Sequence, residues 1–153
     1  MNFVKNLGYS KEIFRYCSWK LGGHIYKGCL HSCKYCYAKF INSRYHENIT
    51  YSSEILPRLI KELPKLKRLN SPLNLGCISD EYQPIEKQIE LTRKVILILT
   101  QNKIPFYIVT KSDLILRDID ILKQAAKNRK VLVQITITTI NEKKSKLLEP
   151  NVP

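Results

Sequence analysis

Three cysteines, Cys29, Cys33 and Cys36, stand in a C-x3-C-x2-C spacing within eight residues. Thiolates are soft ligands for zinc, iron and iron–sulfur centres. Four ligands close such a site, whereas three leave one position open. A cluster held by three thiolates therefore keeps one iron free to bind something else. Residue types also allow a zinc set of Cys29, Cys33, Cys36 and His31, although this spacing is unusual for zinc. His31 otherwise reads as a loop histidine. The chain has five cysteines, an odd number. In a reducing compartment that count favours metal binding over a disulfide framework. Cys17 reads as a small buried hydrophobe.

The elements around this loop can be read from apolar period and breaker residues. A short strand is expected over 24–27, ending at Gly28, with the cysteine loop after it and a helix over 37–45. Ser53 looks like an N-cap for a helix carrying Ile55, Leu56, Leu59, Ile60 and Leu63 on one face. A strand follows over 73–79, then a helix over 85–101. A compact strand over 105–110 precedes a helix over 113–128. A strand over 131–138, rich in β-branched residues, precedes a charged helix over 141–149. Strand and helix thus alternate four times. That order predicts an α/β fold, a partial (β/α) TIM-type barrel of about four parallel βα units, after a lead-in over 1–22. The core is expected over 23–153. The lead-in holds Tyr9, Phe14, Tyr16 and Trp19, which suggest aromatic packing on the domain.

Functional groups in such folds collect at the carboxyl ends of strands. Four groups fall there: the cysteine loop, residues 79–83, Thr110-Lys111-Ser112, and Thr136, Thr138 and Thr139. Their convergence on one rim is stronger evidence than any single motif.

The 153 residues suffice for one sizeable core, at 44% hydrophobic and 25% charged. No apolar run approaches the ~20 residues of a membrane span, and no signal-like core opens the chain, so a cytoplasmic protein is expected. A net charge of +13 would attract nucleic acid through its phosphates, although the lysines are scattered. The run 142–146 reads as a solvated helix face.

With these residues in view, the chain resembles the radical S-adenosylmethionine (SAM) superfamily, and within it the spore photoproduct lyase-related branch. Gly28-Cys29 through Cys36-Tyr37-Ala38 is similar to that branch's cysteine segment. So are the stretch from Ser79-Asp80-Glu81-Tyr82-Gln83-Pro84 to Glu86, Thr110-Lys111-Ser112, Arg117-Asp118-Ile119-Asp120 and Leu148-Glu149-Pro150. The resemblance runs from about residue 22 onward. It implies a [4Fe–4S] cluster on Cys29, Cys33 and Cys36, with SAM on the fourth iron. Reductive cleavage of SAM would give a 5′-deoxyadenosyl radical that abstracts hydrogen, fed by an electron donor of flavodoxin or ferredoxin type. Tyr35 would pack near adenine, Ser79 and Asp80 would meet the amino group, and Lys111 the carboxylate. Thr136 or Thr138 would reach the ribose or carboxylate. Cys77 and Tyr37 match a hydrogen-donating pair of the lyases themselves, so DNA repair is one implied activity. Two other readings stay open: a non-catalytic iron–sulfur or zinc module that contacts nucleic acid, and an inactive half-barrel remnant. Members of the branch are usually much longer, so the chain is expected to be an N-terminal portion.

Overall fold

Strands with apolar residues at consecutive positions need cover on both faces, and helical crossovers supply it. The computed structural model, which describes residues 3–6, 21–76, 78–128 and 130–153, follows that logic except at its last strand, where Leu132 and Ile135 are exposed. Its sheet has the spatial order β1 (Val4–Asn6), β2 (Leu21–Gly23), β3 (Leu73–Leu75), β4 (Phe106–Thr110), β5 (Val131–Ile135). β2 to β5 are parallel, with Leu21, Leu73, Phe106 and Val131 in successive register. β1, from the lead-in, adds an antiparallel edge with Val4 opposite Gly23. The expected α/β architecture of four parallel strands is present. The described residues form an open sheet with edges at β1 and β5, not a closed barrel.

The helices are α1 (Ala38–Ile41), α2 (Ile55–Leu69), α3 (Glu86–Ile89), α4 (Leu91–Gln101), α5 (Ile119–Lys127) and α6 (Glu142–Leu148). A 3-10 helix, Asp113–Asp118, leads into α5. The core lies between sheet and helices. Leu59 and Leu66 of α2, Val95, Ile96 and Leu99 of α4, and Leu122 and Ala125 of α5 join Leu73, Leu75, Phe106 and Ile108 there. Spacings of seven in α2, three and four in α4 and three in α5 put these residues on one stripe of each helix. No described helix is long and apolar enough to cross a membrane.

Several boundaries differ from the sequence reading, each for a local reason. The first parallel strand forms at Leu21–Gly23, not at 24–27. Its glycines carry no strand signal, yet a Cβ on Gly23 would meet the Phe3 ring at 3.0 Å. The helix over 37–45 shrinks to the single turn of α1. The strand over 131–138 ends at Ile135, opposite the last residue of β4. The helix over 85–101 is broken at Glu90, which sits at φ 53°. Glu86 explains the break. Its carboxylate accepts the N–H groups of Thr92 (2.9 Å) and Arg93 (3.3 Å), capping a new helix start. The aromatic residues of 7–20, Cys17 and Cys77 lie outside the described residues.

Under the rim, the core is polar. Asp118, fully buried, is held by Arg93 (2.8 Å) and by both Nε and Nη2 of Arg117 (2.7 and 2.8 Å). Arg117 also reaches Glu86 at 2.7 Å. The Tyr82 hydroxyl donates to Asp118 (3.2 Å), and Tyr26 donates to Glu86. Every charge in this lattice has a partner, as burial requires. Removing one partner leaves the others with fewer compensating charges. Asp118→Ala is expected to lower unfolding free energy by about 3 kcal/mol in urea titrations, since it removes the buried carboxylate that two guanidinium groups and the Tyr82 hydroxyl share. Asp120→Ala, which trims an exposed arm of the same fork, should change stability little; an equal loss from both would refute the buried-charge account.

Candidate functional site

A strand that stops leaves backbone groups to be paired elsewhere. At the carboxyl end of β2 the segment 79–86 supplies those partners. The Gln83 amide accepts from Leu30 N–H (2.8 Å) and donates to Gly28 C=O (3.1 Å), so one side chain brackets Cys29. Gly28 itself has φ +86°, and a Cβ there would come within 2.7 Å of the Tyr45 carbonyl. Only glycine fits that turn. Cys29 N–H donates to Tyr45 C=O (3.3 Å), and His46 Nδ1 lies 2.6 Å from Cys29 C=O. The C-terminal segment closes the loop from the other side. Lys34 N–H donates to Leu148 C=O (2.8 Å), and Asn151 Nδ2 donates to Leu30 C=O (2.7 Å).

The three thiols are free; Cys29 and Cys33 are buried and Cys36 is half-buried. Burial pushes the Cys29 thiol up to about 12. Burial and then the Glu149 charge push Cys33 up as well. No cation on the loop offsets this for Cys29, whereas bound iron would. Among the described residues no three His, Cys, Asp or Glu groups gather around a single ion position. A cluster spreads its thiolates over separate iron corners, so three sulfurs spaced along a loop suit it by donor type. His31 is otherwise engaged. It is 1% exposed, with Nδ1 3.1 Å from Asn151 C=O and Nε2 3.3 Å from Asp80. Nδ1 is within hydrogen-bond distance of a carbonyl, whereas Nε2 meets Asp80 as an ion-pair contact without a formed hydrogen bond.

Asp80 is where the rim loops meet. Its Oδ1 accepts from Tyr82 N–H (2.9 Å) and the Thr110 hydroxyl (2.7 Å). Its Oδ2 accepts from Lys111 N–H (2.8 Å) and faces His31. Burial alone would push this carboxyl up, but the bonds from His31, Lys111 and Thr110 outweigh it and hold Asp80 below the usual carboxylate range. Ser79, buried, donates to Tyr26 C=O (3.2 Å) and Glu81 (3.1 Å). Both residues expected at a SAM amino group thus have partners within the protein. Sequence reading missed Gln83 and Glu86 as loop-holding groups, although both sit in the quoted 79–86 segment.

Three further expected residues converge. Lys111 Nζ lies 2.7 Å from Glu149, 3.2 Å from Thr138 Oγ1 and 5.6 Å from the Tyr35 ring centre. The Tyr35 hydroxyl donates to Glu149, and Thr138 does so at 2.7 Å. Burial would lower Lys111, but the Glu149 carboxylate and Tyr35 raise it overall. Thr136 contributes a backbone N–H to Thr110 C=O (2.9 Å) and is not part of this cluster. Tyr37 is exposed beside the last cysteine.

The proteins to which the chain is similar include three uncharacterized ones. One from Methanocaldococcus jannaschii is 34% identical over 128 residues, 84% of this chain and 48% of that protein. One from Acidianus two-tailed virus is 25% identical across the whole chain and 52% of its own length. One from Mycobacterium tuberculosis is 24% identical over 84% of this chain and 40% of its own. The chain thus spans about half the length of the curated relatives it matches. No family model and no solved structure matches it.

Two outcomes follow from this geometry. Gln83→Ala orphans a donor and an acceptor, so it should cost about 1–3 kcal/mol and speed Cys29 alkylation by a thiol reagent. Unchanged alkylation would show that the loop is held without it. Glu81 is fully buried with one oxygen unpartnered, and burial pushes it up to about 8. In the unfolded chain it would ionise near ~4.3, so it erodes stability as pH rises from there through 8. Glu81→Gln should therefore gain stability relative to wild type between pH 5 and 8 in urea titrations; a flat difference would contradict this.

Proposed function

We propose that the chain is a radical SAM enzyme core, in which Cys29, Cys33 and Cys36 hold a [4Fe–4S] cluster and SAM binds beside it. One observation carries this reading: three free cysteines in C-x3-C-x2-C spacing, on a loop leaving the carboxyl end of the first parallel strand. When bound and reduced, such a cluster supplies the electron that cleaves SAM to a hydrogen-abstracting radical.

The chain's own residues orient and shield. Gln83 and the Leu148–Asn151 segment hold the loop from opposite sides. Lys111 offers a cation for a ligand carboxylate, and Tyr35 offers a ring at its side. Asp80 fixes the backbone from which Lys111 projects, so its role is positioning. Cys77 and Tyr37 stay as the proposed hydrogen-donating pair, with an electron donor of flavodoxin or ferredoxin type and action in the cytoplasm. The basic charge of +13 supports a nucleic-acid substrate of the lyase type.

Anaerobic reconstitution tests the reading. About four irons per chain, broad absorption in the blue and 5′-deoxyadenosine on reduction are expected. Cys33→Ala should lose both iron and product. Stoichiometric zinc without SAM cleavage would overturn it.

A further inference from the structure

A cavity of about 540 Å³ opens beside the cysteine loop, on walls that include none of Lys111, Thr138 and Glu149. Its frame is built, not incidental. Lys27 and Thr50 form an antiparallel bridge with bonds of 2.8 and 3.0 Å. The bridge sets Tyr26 beside Tyr51, with ring centres 6.1 Å apart and planes at 76°. Tyr26 is buried and locked by its hydroxyl bond to Glu86, so it is a fixed backing for the exposed Tyr51 ring. Tyr45, Ile55 and Ile78 add apolar surface.

The charge on this wall is one-sided. Among the described residues, Lys27 and Arg58 line the cavity and no Asp or Glu does. Among the described residues neither cation is in an ion pair, unlike Arg93 and Arg117, whose carboxylates are already in place. Two cations without an ion pair, in the lining of a cavity that also holds Tyr45 and Tyr51, suit a ligand that brings both an anion and a flat ring. The volume lies within the range of small-molecule sites. Asn42, Asn48 and Ser52 offer amide and hydroxyl groups to a ring edge.

We propose that this cavity binds a ring-bearing anion of the nucleoside monophosphate class, its phosphate on Arg58 and Lys27 and its ring against Tyr51. The assignment is independent of iron and SAM, so either can fail alone.

The test is calorimetric titration of the full chain at low salt with AMP and UMP, beside adenosine and inorganic phosphate. Saturable binding of a nucleotide is expected, with adenosine and phosphate each at least about tenfold weaker. Arg58→Gln and Tyr51→Ala should each weaken nucleotide binding about tenfold, and Lys27→Gln less, because Lys27 is exposed. Thermal melts confirm that each variant is folded, and Lys146→Gln, on an exposed turn of α6, is the charge control. No saturation by about 5 mM nucleotide overturns the proposal. So does inorganic phosphate binding as tightly as AMP, or an equal loss from Lys146→Gln, either of which means general attraction of anions.

Discussion

Parallel strands end abruptly, and the backbone groups beyond the last pair still need partners. In this protein the segment Asp80–Glu86 meets that need for the loops around it. Asp80 takes the N–H groups of Tyr82 and Lys111, Glu81 takes that of Ile25, Gln83 takes that of Leu30, and Glu86 takes those of Thr92 and Arg93. Four side chains in seven residues thus fix the cysteine loop, the end of β4 and the start of α4. The loops at the rim are tied together through this one segment.

That dependence explains what could and could not be read from the sequence. The parallel sheet was legible because 105–110 and 131–138 are apolar runs bounded by breakers, and because helices with clear stripes separate them. The rim was legible because polar residues follow each strand. The use of those residues was not. Asp80 looks like a group awaiting a ligand, and only the folded chain brings His31, Thr110 and the Lys111 backbone to its two oxygens. The break at Glu90 was hidden for a similar reason. Local helix propensity runs through it, and the Glu86 carboxylate overrides that propensity by capping α4. Gly22 and Gly23 concealed β2 because glycine carries no strand signal, and at Gly23 it is close approach of Phe3 that calls for glycine.

Charge is distributed unevenly between inside and outside. Of thirteen acidic residues, Asp80, Glu81, Glu86, Asp118 and Glu149 are buried. Most of their charge is consumed by internal partners, so the exterior is more basic than composition alone conveys. A field of that sign raises the local concentration of anions near the surface and fades within about 8–10 Å at moderate salt.

Glu149 adds a consequence of its own. Its carboxylate receives the hydroxyls of Tyr35 and Thr138 and the ammonium of Lys111, and only 3% of the residue is exposed. Chemically this is an occupied carboxylate receptor whose guest is tethered to the host. A free carboxylate approaching Lys111 competes with a guest at high effective concentration, and its apparent affinity falls with the fraction of time the receptor stands empty. Occupancy of this corner is therefore set as much by how readily residues 148–151 release as by how well a newcomer fits.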